Sequence, residues 1–141
     1  MKIQRQNNLT ALVIDRRSLN RRNQARLMLP INRVVEEILK IDGVWLAGGS
    51  LRAVFDETPV KDYDLFFRDE AAKYNVKTLL TALGAKITFI CPQGSLMNLT
   101  LGNTHYQLIT PRFYQSAFDL IGSFDFTVTQ FCFDGRQFVL G

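Results

Sequence analysis

The chain has 141 residues, 47% hydrophobic and 21% charged, with a net charge of +4. This length and balance fit one globular domain and exclude a disordered or fibrous chain. No apolar run approaches the roughly 18–20 residues that span a bilayer, and Asn7, Asn8 and Thr10 interrupt any signal-peptide core, so a cytoplasmic protein without membrane contact is expected.

In chain order, Leu9 to Ile14 reads as a short strand. Ser18 to Met28 lacks Gly and Pro and reads as a basic helix that Pro30 ends. Ile31 to Ile41 carries Ile31, Val34, Val35, Ile38 and Leu39 on one stripe, which predicts an amphipathic helix. Val44 to Ala47 is a strand, Gly48 and Gly49 a turn, Ser50 to Phe55 a short helix, and Tyr63 to Phe67 a strand with aspartates at its start. Glu70 to Leu83 predicts a helix ended by Gly84, with Lys73 and Lys77 on its solvated side. Strands follow at Lys86–Cys91, Met97–Leu101 and Tyr106–Ile109, then a short helix over Phe113 to Ile121. Asp134-Gly135 between apolar runs predicts a closing hairpin. This order implies an α+β fold, with helices packed on a mixed or antiparallel sheet.

Charge is uneven along the chain. Residues 1–33 carry eight basic side chains against the single acid Asp15, while the remainder carries nine basic and twelve acidic ones. Residues 1–30 therefore read as a basic arm beside a domain over 31–141. The arm suits either nucleic-acid phosphates or a solvated helix face or docking element. Cys91 and Cys132 lie in apolar, strand-like runs and read as reduced, partly buried thiols. The only histidine, His105, has no metal-ligand neighbour in sequence and reads as polar surface. The aromatic series Phe113, Tyr114, Phe118, Phe124, Phe126, Phe131 and Phe133 reads as core at this spacing, with stacking on bases as the other use.

The segment Gly48 to Asp64 carries the chemistry. Two glycines after a strand let the backbone approach a ligand closely. A helix starting there points free N–H groups at phosphate oxygens. Ser50 adds a hydroxyl, and Arg52 is placed to contact phosphate or brace a carboxylate. Asp62 and Asp64 stand two apart on a strand, so both face one side, roughly 6–7 Å apart at Cα. Such a pair suits Mg²⁺ or Mn²⁺, hard cations that carboxylates and substrate phosphates hold together.

These residues resemble the head domain of the tRNA nucleotidyltransferase (CCA-adding) and bacterial poly(A) polymerase family, in the DNA polymerase beta-like nucleotidyltransferase superfamily. Gly48, Gly49, Leu51, Arg52, Pro59, Lys61, Asp62 and Asp64 fall at matching positions, and SFDFTVTQ (Ser123 to Gln130) resembles a second family motif through Asp125, Phe126 and Thr127. The resemblance implies a polymerase beta-like fold and a metal-dependent transfer of a nucleoside monophosphate from a triphosphate, ATP included, to a hydroxyl acceptor such as RNA. Asp62 and Asp64 would be the catalytic metal ligands. Gly48, Gly49, Ser50 and Arg52 would bind the triphosphate, with Asp125 near the sugar. The chain departs from the family at Ala53, Ser123, Phe124 and Thr129, and Gln107 stands where a third acid is sought. The family's neck, body and tail do not follow, so base-specific addition is not expected. The alternatives are a nucleotide- or RNA-binding module without turnover, or a structural subunit acting as a homo-oligomer or with a partner chain.

Overall fold

Alternation of apolar and polar residues, more than helical periodicity, organises this chain. A computed structural model describes residues 2–6, 9–22, 32–48, 62–124 and 131–140. Nine strands form one sheet: β1 (Lys2–Gln6), β2 (Leu9–Asp15), β3 (Val44–Ala47), β4 (Asp62–Phe67), β5 (Lys86–Ile90), β6 (Leu96–Leu101), β7 (Thr104–Ile109), β8 (Phe131–Phe133) and β9 (Gln137–Leu140). Their spatial order is β1-β2-β9-β8-β3-β4-β7-β6-β5. β4 and β7 are parallel, and the other described pairs are antiparallel. Three α-helices lie wholly within the described residues: α1 (Arg33–Leu39), α2 (Glu70–Ala82) and α3 (Ala117–Gly122).

The two faces of the sheet bury different sets of side chains. One packs Leu46, Tyr63, Leu65, Phe67, Leu99, Tyr106 and Leu108 with Val35 and Ile38 of α1 and Val76 and Leu80 of α2. The other packs Val13, Trp45, Ala47, Phe66, Cys132 and Val139 with Phe118, Leu120 and Ile121 of α3. The aromatics build these cores: Phe66 meets Tyr114 and Phe124 edge-on at 6.1 and 5.8 Å, and Phe133 stacks on Phe138 at 4.1 Å. Phe126 lies outside the described residues.

The expected α+β polymerase beta-like architecture is corrected. Among the described residues a nine-stranded mixed sheet dominates three helices. The physical reason lies at both ends of the sheet. β1 pairs with β2, and β2 with β9, so the expected strand at Leu9–Ile14 joins the main sheet and residues 2–6 add a further strand beside it. At the other end β5, β6 and β7 form an antiparallel meander.

Capping residues set the helix starts. Asn32 Oδ1 accepts from Val35 N at 2.8 Å and caps α1, which begins at Arg33. Ser116 Oγ accepts from Asp119 N at 3.2 Å. Tyr114 N donates to Phe67 O, which keeps residues 113–116 out of α3. The expected helices over 18–28 and 50–55 fall largely or wholly outside the described residues. The Asp134-Gly135 hairpin is present: Asp134 Oδ1 accepts from Arg136 N and Gln137 N, both at 2.8 Å. Gly135 has φ +97°, and a Cβ there would lie 3.2 Å from Leu39 Cβ.

Asn32 also donates to the hydroxyl of buried Tyr106 at 3.3 Å. Asn32→Ala should cost about 1 kcal/mol from the cap alone, with a further loss at Tyr106. In urea unfolding the midpoint falls and the slope is unchanged, while Asn32→Ser, which keeps a capping oxygen, recovers most of the difference.

Candidate functional site

Strand β4 places Asp62 and Asp64 on one face and sends Tyr63 and Leu65 into the core on the other. Registered neighbours share a face, which defines the surroundings of the pair. Asp62 lies opposite His105 and Asp64 opposite Gln107 on β7, and Ala47 flanks Asp64 on β3. One strand further out, Thr100 faces His105 and Asn98 faces Gln107. The result is a polar strip across β4, β7 and β6, on the side of the sheet that α3 covers farther along.

Hydrogen bonds tie the outer part of this strip together. Thr100 Oγ1 and His105 Nδ1 are 2.9 Å apart. The Asn98 amide lies 3.4 Å from the same nitrogen and donates to Thr88 Oγ1 at 2.6 Å. Asn98 Oδ1 is a buried acceptor with no hydrogen-bond partner. His105, expected as isolated surface, is thus a half-buried member of a network. The available signal was the alternation Asn98-x-Thr100 and His105-x-Gln107 in consecutive strands, which puts four polar side chains on one face.

Gly48 lies directly beside Asp64. Gly48 has φ +82°, and a Cβ there would lie 2.8 Å from Asp64 Oδ2. The glycine leaves room for the carboxylate. Burial, and then the charge of Asp62, raise the Asp64 pKa above the ordinary value. Gly49, Ser50, Arg52 and Asp125, named for the expected phosphate turn, lie outside the described residues. Gln107 occupies the position beside Asp64 where a third acid was sought. Among the described residues no group of three or more His, Cys, Asp or Glu gathers as a metal centre. Arg112, near the end of β7, is engaged elsewhere. It contacts Asp119 at 2.7 Å and lies 5.0 Å over the Tyr114 ring.

Residues 20–141 match the family described as Gabija anti-defense 2 (Gad2) family protein. The chain belongs to the Gad2 family. No curated protein matches it. Membership over most of the chain overturns the resemblance to the CCA-adding and poly(A) polymerase head, which rested on short segments. The nucleotidyltransferase function is corrected with it, as are the transferase, nucleotide-binding, ATP-binding, RNA-binding, magnesium and metal-binding descriptions. At Gly48 the positive φ and missing Cβ accommodate the neighbouring Asp64 carboxylate. No helix among the described residues is long and apolar enough to cross a membrane.

The two cysteines differ, which their similar sequence settings did not indicate. Cys132 is buried, and burial raises its thiol pKa well above the usual range. Cys91 opens the β5–β6 turn, half-exposed, with Sγ 3.0 Å from Ser95 Oγ. The Ser95 hydroxyl, followed by the backbone amides of Leu96, Gln93 and Ser95, lowers its pKa to about 7 despite some desolvation. Lys73, expected on a solvated face, donates to Gly94 O in the same turn at 3.3 Å.

Asp64→Asn should raise the melting temperature at pH 7. A carboxyl whose folded pKa lies above its unfolded value destabilises the fold when ionised. That penalty fades as pH falls through the folded pKa toward the unfolded one, roughly 3.9. The advantage of the variant should therefore shrink on acidification, and an absence of any gain at pH 7 contradicts this account. For the thiols, iodoacetamide should alkylate Cys91 with a pH midpoint close to the lowered value of about 7, while Cys132 stays protected until unfolding. Ser95→Ala should move the Cys91 midpoint upward, and equal reactivity of both thiols in the folded chain is the contrary result.

Proposed function

We propose that this chain counteracts a Gabija defence by binding a protein of that defence, with the carboxylate-bearing strip of β4 and β7 at the contact. The family match over residues 20–141 carries the anti-defence part of this reading. The strip supports the binding part. Asp64 is held half-buried beside Asp62 with its pKa raised by burial and by that neighbour, so its ionised form lacks compensation within the strip. A lysine or arginine of a partner inserted between the two carboxylates would relieve both the desolvation and the repulsion. Residues that are unfavourable for the isolated fold and favourable in a complex are a recurrent cost of function. The basic N-terminal strands offer a second charged surface for an acidic part of the same partner. The site of action on this reading is the bacterial cytoplasm.

The test is phage plating on bacteria carrying a Gabija defence, with and without this chain. The native chain should restore plating. The double variant Asp62→Asn/Asp64→Asn should lose at least about tenfold of that effect, the equivalent of roughly 1.4 kcal/mol of binding, while keeping a native circular-dichroism spectrum. No restoration by the native chain removes the anti-defence reading. Full restoration by the double variant removes the strip from it. The same pair is where Mg²⁺ or Mn²⁺ is to be tested: a cation held there raises the melting temperature of the native chain but not of Asp64→Asn.

A further inference from the structure

Among the described residues the sheet ends in two edge strands, β1 and β5. An edge strand leaves backbone N–H and C=O groups available along one side, and charged side chains are a common protection against pairing there. β1 has that protection: Lys2 and Arg5 lie on it, and a copy laid antiparallel against it would gather like charges. β5 has only Lys86, at its first position. Its Ile87, Phe89 and Ile90 are 43, 53 and 49% exposed. The register irregularity between Ile87 and Phe89 sets Ile87 and Ile90 opposite Leu99 and Met97, on the face covered by α1 and α2, and Phe89 opposite Asn98 on the other. Apolar side chains therefore flank this edge on both faces.

We propose that β5 pairs antiparallel with β5 of a second copy, about a two-fold axis near Thr88, making one continuous sheet across the dimer. Charge placement favours this occupant. Antiparallel pairing sets Lys86 of each strand beside the apolar Ile90 end of the other and holds the two ammonium groups at opposite ends. The new ladder satisfies edge backbone groups, and burial of Ile87, Phe89 and Ile90 adds hydrophobic gain on both faces. The contact is isologous, so it closes at two copies and leaves no further β5 edge for growth.

Sedimentation velocity on the full chain should give a mass twice that of one chain. Phe89→Lys should sediment as a folded monomer, and Ile3→Lys, on the opposite edge, should remain dimeric. A monomeric native chain, or a dimer that survives Phe89→Lys, overturns the proposal. If Phe89→Lys does not fold, Thr88→Cys in a Cys91→Ser background replaces it. Mild oxidation should then cross-link two copies through residue 88, and failure to cross-link overturns the two-fold pairing. None of these readouts depends on anti-defence activity.

Discussion

Strand β4 is the element on which the rest of the molecule depends. It is hydrogen-bonded on both sides, antiparallel to β3 and parallel to β7, and its alternation sorts side chains into two environments. Tyr63, Leu65 and Phe67 enter the core beneath α1 and α2. Asp62 and Asp64 stand on the opposite face, where Phe66 at the far end joins the core under α3. A slip of one residue would bury two carboxylates and expose three large apolar side chains, so the register is strongly specified. The Tyr63 ring stacks on Tyr106 at 5.6 Å, which supports the same register from the core side.

The polar strip is a consequence of that register. His105, Gln107, Asn98 and Thr100 reach it because β7 and β6 follow β4 in space and keep its face assignment. Asp64 fits because Gly48, which follows β3, has a positive φ and no Cβ. The arrangement holds a carboxylate in partial burial next to a second one, which is unfavourable for the isolated chain. A cationic group from outside would reverse that balance, which is the physical basis of the binding role proposed for the strip.

Much of the fold was legible from local pattern. The strands at Val44–Ala47 and Tyr63–Phe67, the helix after Asp69, the meander strands and the Asp134-Gly135 hairpin all follow from alternation, turn chemistry and capping. The N-terminal strands were only partly legible, because β1 is polar and exposed along its length and is held by pairing with β2 rather than by a buried face. The difference between Cys91 and Cys132 was not legible either. Both sit in apolar runs, but one faces a turn whose amides and hydroxyl stabilise a thiolate while the other is sealed in the core. The Gly48–Asp64 segment misled for a related reason: its residue types are compatible with phosphate and magnesium, and compatibility over a short segment is weaker than family membership over residues 20–141.

The sequence by itself determined most of the segments that extend, turn and coil, because those choices depend on alternation, capping side chains and glycine dihedrals within a few residues; β1, held by its pairing with β2, was not among them. It also determined that Asp62 and Asp64 share a face, since that follows from strand periodicity alone. Only the tertiary structure decided what surrounds them. The parallel pairing of β4 with β7 joins residues more than 40 positions apart, and no local pattern encodes which distant strand fills that side. That pairing put Gln107 beside Asp64 and His105 beside Asp62.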